Sequence, residues 1–211
     1  MEKNDYRIIQ NMENSLYTIL FDYYDRKSRE ILIKSITKTK IILGATITND
    51  YKSLSFNTNF INKYTKKSIN YDTLLIMTYD LSIQLKYLID NNYTFIGYSP
   101  KNVISIDNKF IYLPNSEEIL NIENENITIT FPFSQQDFFL SPEMFLIKEI
   151  PSKIHYKTSY YSLACLLIYY LRPEGEKEII LDKLAIKDTK LYFLLERCLN
   201  SNIESRSIIY I

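Results

Sequence analysis

Residues 159–171 read SYYSLACLLIYYL, an apolar run without a charged residue, glycine or proline. Wound as a helix, this run is apolar on every side, so it cannot lie at a surface with one face in water. It is also shorter than the ~20 residues that span a bilayer. The segment is therefore expected to be a helix buried at the centre of a globular domain. A chain of 211 residues, 46% of them apolar, can enclose it as one large domain or as two small lobes around a shared cleft.

The enclosing segments change character along the chain. Residues 6–36 read as three strands, YRIIQ, LYTILFDYY and REILIKSI, with Ile31 and Ile33 alternating with Leu32 and Lys34 at the two-residue period of a sheet. TKIILGATI and KSLSFNTNF are expected as two more short strands around the turn TNDY, and a Lys/Asn-rich linker, INKYTKKSIN, follows. From Asp72 the period becomes helical, with Leu74, Thr78, Leu81, Leu85 and Leu88 on one stripe. NVISI and KFIYL suggest a hairpin turning at Asp107 and Asn108. An irregular segment, acidic at first (SEEILNIENEN), then runs to FFLSPEMF. TKLYFLLERCLN closes the series as an amphipathic helix.

Composition narrows the function classes. Lys+Arg and Asp+Glu balance at 25 each, which argues against a sequence-independent nucleic-acid surface. Cys165 and Cys198 lie in apolar helical runs and are expected to be buried thiols rather than disulfide or zinc partners. His155, the single histidine, is expected at the surface or as a cap before the central helix. The polar start MEKNDYR has no signal-peptide core, and no apolar run is long enough for a membrane. A soluble, intracellular, cytoplasmic protein is expected. Nineteen tyrosines with abundant Ile, Asn and Lys fit A+T-rich coding, as in a reduced parasite or a large DNA virus; the host cytoplasm is then the compartment.

The order of short motifs is more specific. YRIIQNMENSLYTILFDYYDRKSREILIKSI looks like the first three strands of a eukaryotic protein kinase, with Lys34 in the place of the phosphate-pairing lysine. FIGYSPKNVI resembles the catalytic loop, FFLSPEMF the Ala-Pro-Glu segment, and TSYYSLAC the central-helix motif. LLERCLNSNIESRS resembles the terminal stretch whose arginine pairs with the Ala-Pro-Glu glutamate. The resemblance runs from end to end. It implies an α+β fold with a small β lobe over 1–58, a hinge over 59–70 and a helical lobe over 71–211.

The same resemblance implies lost chemistry. Phe95, Ile96 and Gly97 stand where the family has His-Arg-Asp, and Ser99 replaces the following lysine, so the proton acceptor and the local cation are both missing. The phosphate-covering glycines are replaced by Met12, Asn14 and Tyr17. The metal-binding aspartate falls on Asn115, leaving Asn102 and Asn115 as neutral oxygens where magnesium prefers carboxylates. Asp107, Glu117 and Glu118 are the acids near enough to substitute. Lys34 reads either as a phosphate-pairing lysine or as a solvated lysine at a cleft edge. Leu32, with Ile19 and Ile104, occupies adenine-flanking positions and is expected to plug the cleft, so neither ATP nor magnesium is expected as a cofactor.

Structural features are expected to survive. Glu143 and Arg206 match the family's ion pair, and Ser162 keeps the central-helix pattern while Ser159 replaces its aspartate. Too few residues separate Lys34 from the next strand for the family's regulatory helix. That helix is expected to be missing, leaving Ile31 and Ile33 on an open sheet face for a protein partner or a second copy of the chain. The expected function is a pseudokinase acting as a protein-binding regulatory or scaffold module. An atypical active Ser/Thr kinase and an ATP-binding switch without transfer are the alternatives.

Overall fold

A computed structural model describes residues 5–11, 15–65, 69–133, 137–172 and 186–208. The expected substitutions at Met12 and Asn14 lie outside the described residues. The protein is a mixed α+β structure of small antiparallel sheets and several helices.

Four strands form the first sheet: β1 (Arg7–Gln10), β2 (Leu16–Leu20), β3 (Thr46–Ile47) and β4 (Ser53–Asn57), in the order β1-β2-β4-β3. Between β2 and β3 the chain forms helix α1 (Arg26–Thr37). This corrects the expectation of a third strand over REILIKSI, and with it the expectation that no helix fits here. Asp25 caps the helix, its carboxylate accepting from Lys27 N at 2.9 Å and Ser28 N at 3.1 Å. Leu32, Ile33 and Ile36 are fully buried together. Neighbours 32 and 33 would face opposite sides of a strand, whereas a wide helical stripe packs both inward. Ile31 is only 7% exposed, so the open sheet face expected at Ile31 and Ile33 does not exist.

The stretch read as linker contains a strand, β5 (Ile61–Lys63). Helix α2 (Tyr71–Asp90) follows, capped by Asn70, then β6 (Tyr93–Phe95). The expected hairpin is present as β7 (Val103–Ile106) and β8 (Lys109–Tyr112), with Asp107 at φ 50° in the turn. β5, β7 and β8 make a three-stranded sheet in that order. The acidic segment contributes β9 (Ile119–Asn121), paired with β6, and β10 (Asn126–Ile129), paired with β11 (Ser152–His155). Among the described residues the α-helices that follow are α3 (Pro142–Phe145), α4 (Thr158–Leu171) and α5 (Lys190–Cys198).

α4 is the apolar run that required a central position, and none of its residues is fully exposed. Its Leu163, Leu166, Leu167 and Ile168 belong to one core with α1, α2, α5 and the β7–β8 hairpin. A smaller core, Ile96, Ile127, Ile129, Leu140, Met144 and Ile154, underlies the β10–β11 pair. Cys198 is buried and Cys165 partly so; both are free, and burial pushes each thiol up to about 12. His155 accepts from Lys157 N at 3.2 Å just before α4. Among the described residues no helix is long and apolar enough to cross a membrane.

Helix α2 also supplies polar partners to β8. Asp80 Oδ2 accepts from Phe110 N at 3.0 Å, and Gln84 Oε1 accepts from Tyr112 N at 2.8 Å. The Gln84 amide donates to Tyr112 O at 3.0 Å and to Ser35 Oγ of α1 at 3.4 Å. Four residues of helix rise about 6 Å, and two residues of strand span about 6.8 Å, so i,i+4 on one matches i,i+2 on the other. Gln84→Leu fills the same space but leaves Tyr112 N–H and C=O unpaired in a fully buried site. It is expected to cost about 1–3 kcal/mol, read as a lowered urea midpoint at unchanged slope.

Candidate functional site

A cavity of about 510 Å3 opens between residues 63–65, the loop 96–102, the segment 115–118 and residues 131–133 and 137–138. Its loop wall is rigidly held. Tyr98 N donates to Ser162 Oγ of α4 at 2.6 Å, Ser99 N donates to the Tyr112 hydroxyl at 2.9 Å, and that hydroxyl donates to Gly97 O at 3.1 Å. Phe95, Tyr98 and Tyr112 stack edge-on or tilted with centroids 4.5–5.5 Å apart. A Cβ on Gly97 would touch Phe138, Leu140 and Ser162 at 3.4 Å, so this position is enclosed.

The polar wall centres on Glu118. Its Oε2 accepts from Asn102 Nδ2 at 3.2 Å and its Oε1 from Asn115 Nδ2 at 3.0 Å. Glu118 is 6% exposed, whereas the adjacent Glu117 is exposed. Burial pushes the Glu118 carboxyl up to about 8; the Asn115 hydrogen bonds oppose this, and the negative charges of Glu117 and Asp5 reinforce it. Among the described residues no group of three or more His, Cys, Asp or Glu could hold a metal ion. At the cavity mouth Lys101 Nζ pairs with Asp137 Oδ1 at 2.7 Å.

The segment 114–118 is anchored to the start of the chain. Ser116 N donates to Asp5 Oδ2 at 2.9 Å, Asp5 N to Asn115 Oδ1 at 3.3 Å, and Asp25 N to Ser116 Oγ at 3.2 Å. The buried Tyr24 hydroxyl donates to Pro114 O. The residue that caps α1 thus also fixes the wall of the cavity.

The expected site residues divide into two groups. Ile96, Ser99, Asn102 and Asn115 line the cavity, and Gly97 lies behind it against Ser162. Lys34 does not line it. It sits on α1, its ammonium paired with Glu30 at 2.5 Å and 5.7 Å from the centre of the Tyr51 ring. Ile19, Leu32 and Ile104 are fully buried in the main core and do not line the cavity either. Tyr17 is part of β2, opposite Phe56 of β4.

Away from the cavity, Arg206 is 1% exposed and donates to both Glu143 oxygens, at 2.5 and 3.0 Å. It also donates to Asn200 O at 2.8 Å and lies over the Tyr161 ring at 4.9 Å. Burial works to raise the Glu143 carboxyl, but the hydrogen bonds from Arg206 and Ser141 outweigh it and hold the group below its ordinary range. Ser159 bonds locally, its hydroxyl donating to Tyr156 O at 2.9 Å.

Sequence reasoning passed over Lys101, Asp137 and the phenylalanines 131, 133 and 138, and named Glu118 only as an acid that could substitute at the metal position, at the start of an acidic loop. The available signal for Glu118 was its place three residues after Asn115, where a short turn brings the two side chains together. No protein-family model and no curated protein matches the chain.

Proposed function

We propose that the protein is a catalytically inactive relative of the protein kinases, two-lobed in layout, that works by binding rather than by phosphate transfer. The observation that carries this reading is the convergence of the separate motif-like segments. The loop 95–102 meets Ser162 of α4, Asn102 and Asn115 share Glu118, and Arg206 clasps Glu143. These contacts join segments 64 and 63 residues apart in the chain.

In this reading α1 takes the place of the regulatory helix, because it follows one strand of the first sheet and precedes the next. The strand before it is then β2, whose sequence LYTIL has no lysine. The phosphate-pairing lysine is absent, and Lys34 is a solvated helix residue. Position 97 has no side chain to take a proton, and 99 has no cation. Leu32, carried on α1, no longer stands at an adenine-flanking position, and complete burial of Ile19 and Ile104 supports a filled rather than an open adenine site.

One feature favours the second reading, a nucleotide-binding switch: Glu118 is a carboxyl between two asparagine amides at the cavity wall. The purified protein is expected to incorporate no labelled phosphate, into itself or generic substrates, with magnesium or manganese. Millimolar ATP is expected to leave its thermal midpoint unmoved, although occupancy at a hundredfold excess over Kd would add roughly 2.7 kcal/mol. Incorporation that Glu118→Gln or Asn102→Ala abolishes would overturn the inactive reading.

A further inference from the structure

We infer that the cavity is a recognition site for a planar cationic head group, guanidinium or amidinium, that docks on the Glu118 carboxylate between Asn102 and Asn115. This deepens the binding function proposed above and rests on it. A carboxyl with 6% exposure lines a cavity of about 510 Å3, and its hydrogen bonds there come from two neutral asparagines. The carboxyl accepts from Asn102 Nδ2 and from both the backbone and the side-chain N–H of Asn115, three donors against the roughly four acceptor positions of an ionised carboxylate, so one position stays open. A planar guanidinium or amidinium can fill that position with one N–H and lay its face on the phenylalanines that line the cavity, which a compact ammonium does less well.

The surroundings select the charge. Asp5 and Glu117 add negative potential at Glu118, while Tyr6, Tyr24 and Tyr112 face it as neutral phenols whose own ionisation burial suppresses. Lys101 lines the cavity but is engaged by Asp137, and Lys63 is the other lysine of the lining. With Lys101 and Asp137 paired to each other, the lining leaves Glu117 and Glu118 against Lys63, a balance that disfavours an anion. Burial raises the Glu118 carboxyl to about 8, so it is mostly protonated at neutral pH until a cationic ligand displaces the proton. Phe131, Phe133 and Phe138 line the same cavity, and aromatic faces attract a cation within about 6 Å.

The test is calorimetric titration of the full chain at pH 7, in two buffers of different ionisation heat. The probes are benzamidine, its neutral counterpart benzamide, and a blocked Gly-Arg-Gly peptide. Benzamidine or the peptide is expected to bind at least tenfold more tightly than benzamide and to release close to one proton per ligand. The tighter of the two identifies the source as a small aromatic cation or a protein arginine. Glu118→Gln, shown folded by circular dichroism, is expected to lose both the preference and the proton release. Equal binding of benzamidine and benzamide, binding without proton release, unchanged binding in the variant, or no binding at 10 mM would each overturn the site. Proton release is measured on the unaltered protein, so the outcome does not hang on the variant. Phosphate transfer by the same preparation would sink the inactive reading and leave these results standing.

Discussion

Glu118→Gln is expected to make the protein more stable at pH 8 and to flatten its stability between pH 5 and 8. The carboxyl rises from an ordinary 4.5 to about 8 in the folded protein. Between those values the folded state keeps a proton that the unfolded state has released, so stability falls as pH rises. The contribution is fully present below 4.5 and is lost on passing through about 8. At about 1.4 kcal/mol for each pH unit, the loss across this window approaches roughly 4 kcal/mol. Glutamine is neutral in both states and, after one asparagine amide turns over, keeps a hydrogen bond to each neighbour. Urea midpoints at pH 5 and pH 8 measure the effect. Parallel slopes for the two proteins would show that Glu118 does not carry it.

The second large effect is expected from Arg206→Ala. Its guanidinium makes two hydrogen bonds to Glu143 and one to Asn200 O, and packs on Tyr161, with almost no exposure of its own. Removing one member of a buried pair costs about 3–5 kcal/mol. The Glu143 side chain is 26% exposed, so water recovers part of the loss and the lower end, about 3 kcal/mol, is expected here. The acid side changes as well. A carboxyl held below its ordinary value contributes stability above that value and loses it as pH falls through the folded value. Arg206→Ala is therefore expected to soften the acid-induced fall below pH 4.5. In the double variant with Glu143→Ala, much of the cost should not be repeated, because no carboxylate is left unpaired.

What could be read from the sequence was whatever depended on long apolar patterns. The run in α4 has no face that tolerates water, so its central place followed from composition alone. The stripe of α2 and the alternating strands of the β7–β8 hairpin were equally legible. REILIKSI was not, because four β-branched or leucine residues fit either period over so short a span. The deciding signal was one residue outside it: Asp25, whose carboxylate caps the turn. β5 was hidden by its composition, since INK has only one apolar side chain to reveal a strand.

At the site, residue types were readable and their environments were not. Glu117 and Glu118 are chemically the same in a string of letters, yet one is solvated and the other is enclosed with two amides. Enclosure follows from contacts with Asn102, 16 positions away, and from the anchoring of Ser116 to Asp5, 111 positions away. Local pattern contains no information at that range.

The polar pairing between α2 and β8 has a consequence for how the molecule behaves in a crowded solution. A strand at the margin of a sheet ordinarily offers its backbone as a template for a foreign strand, which is how many aggregates begin. Asp80 and Gln84 occupy those template positions with side chains from a helix, so the Phe110 N–H and both backbone groups of Tyr112 on the margin of β8 are already engaged. At the opposite margin β5 is only three residues long. Loss of Gln84 would therefore do more than lower the midpoint of unfolding. It would expose an adhesive edge on any chain in which α2 had loosened, and turn a thermodynamic defect into a tendency to coalesce.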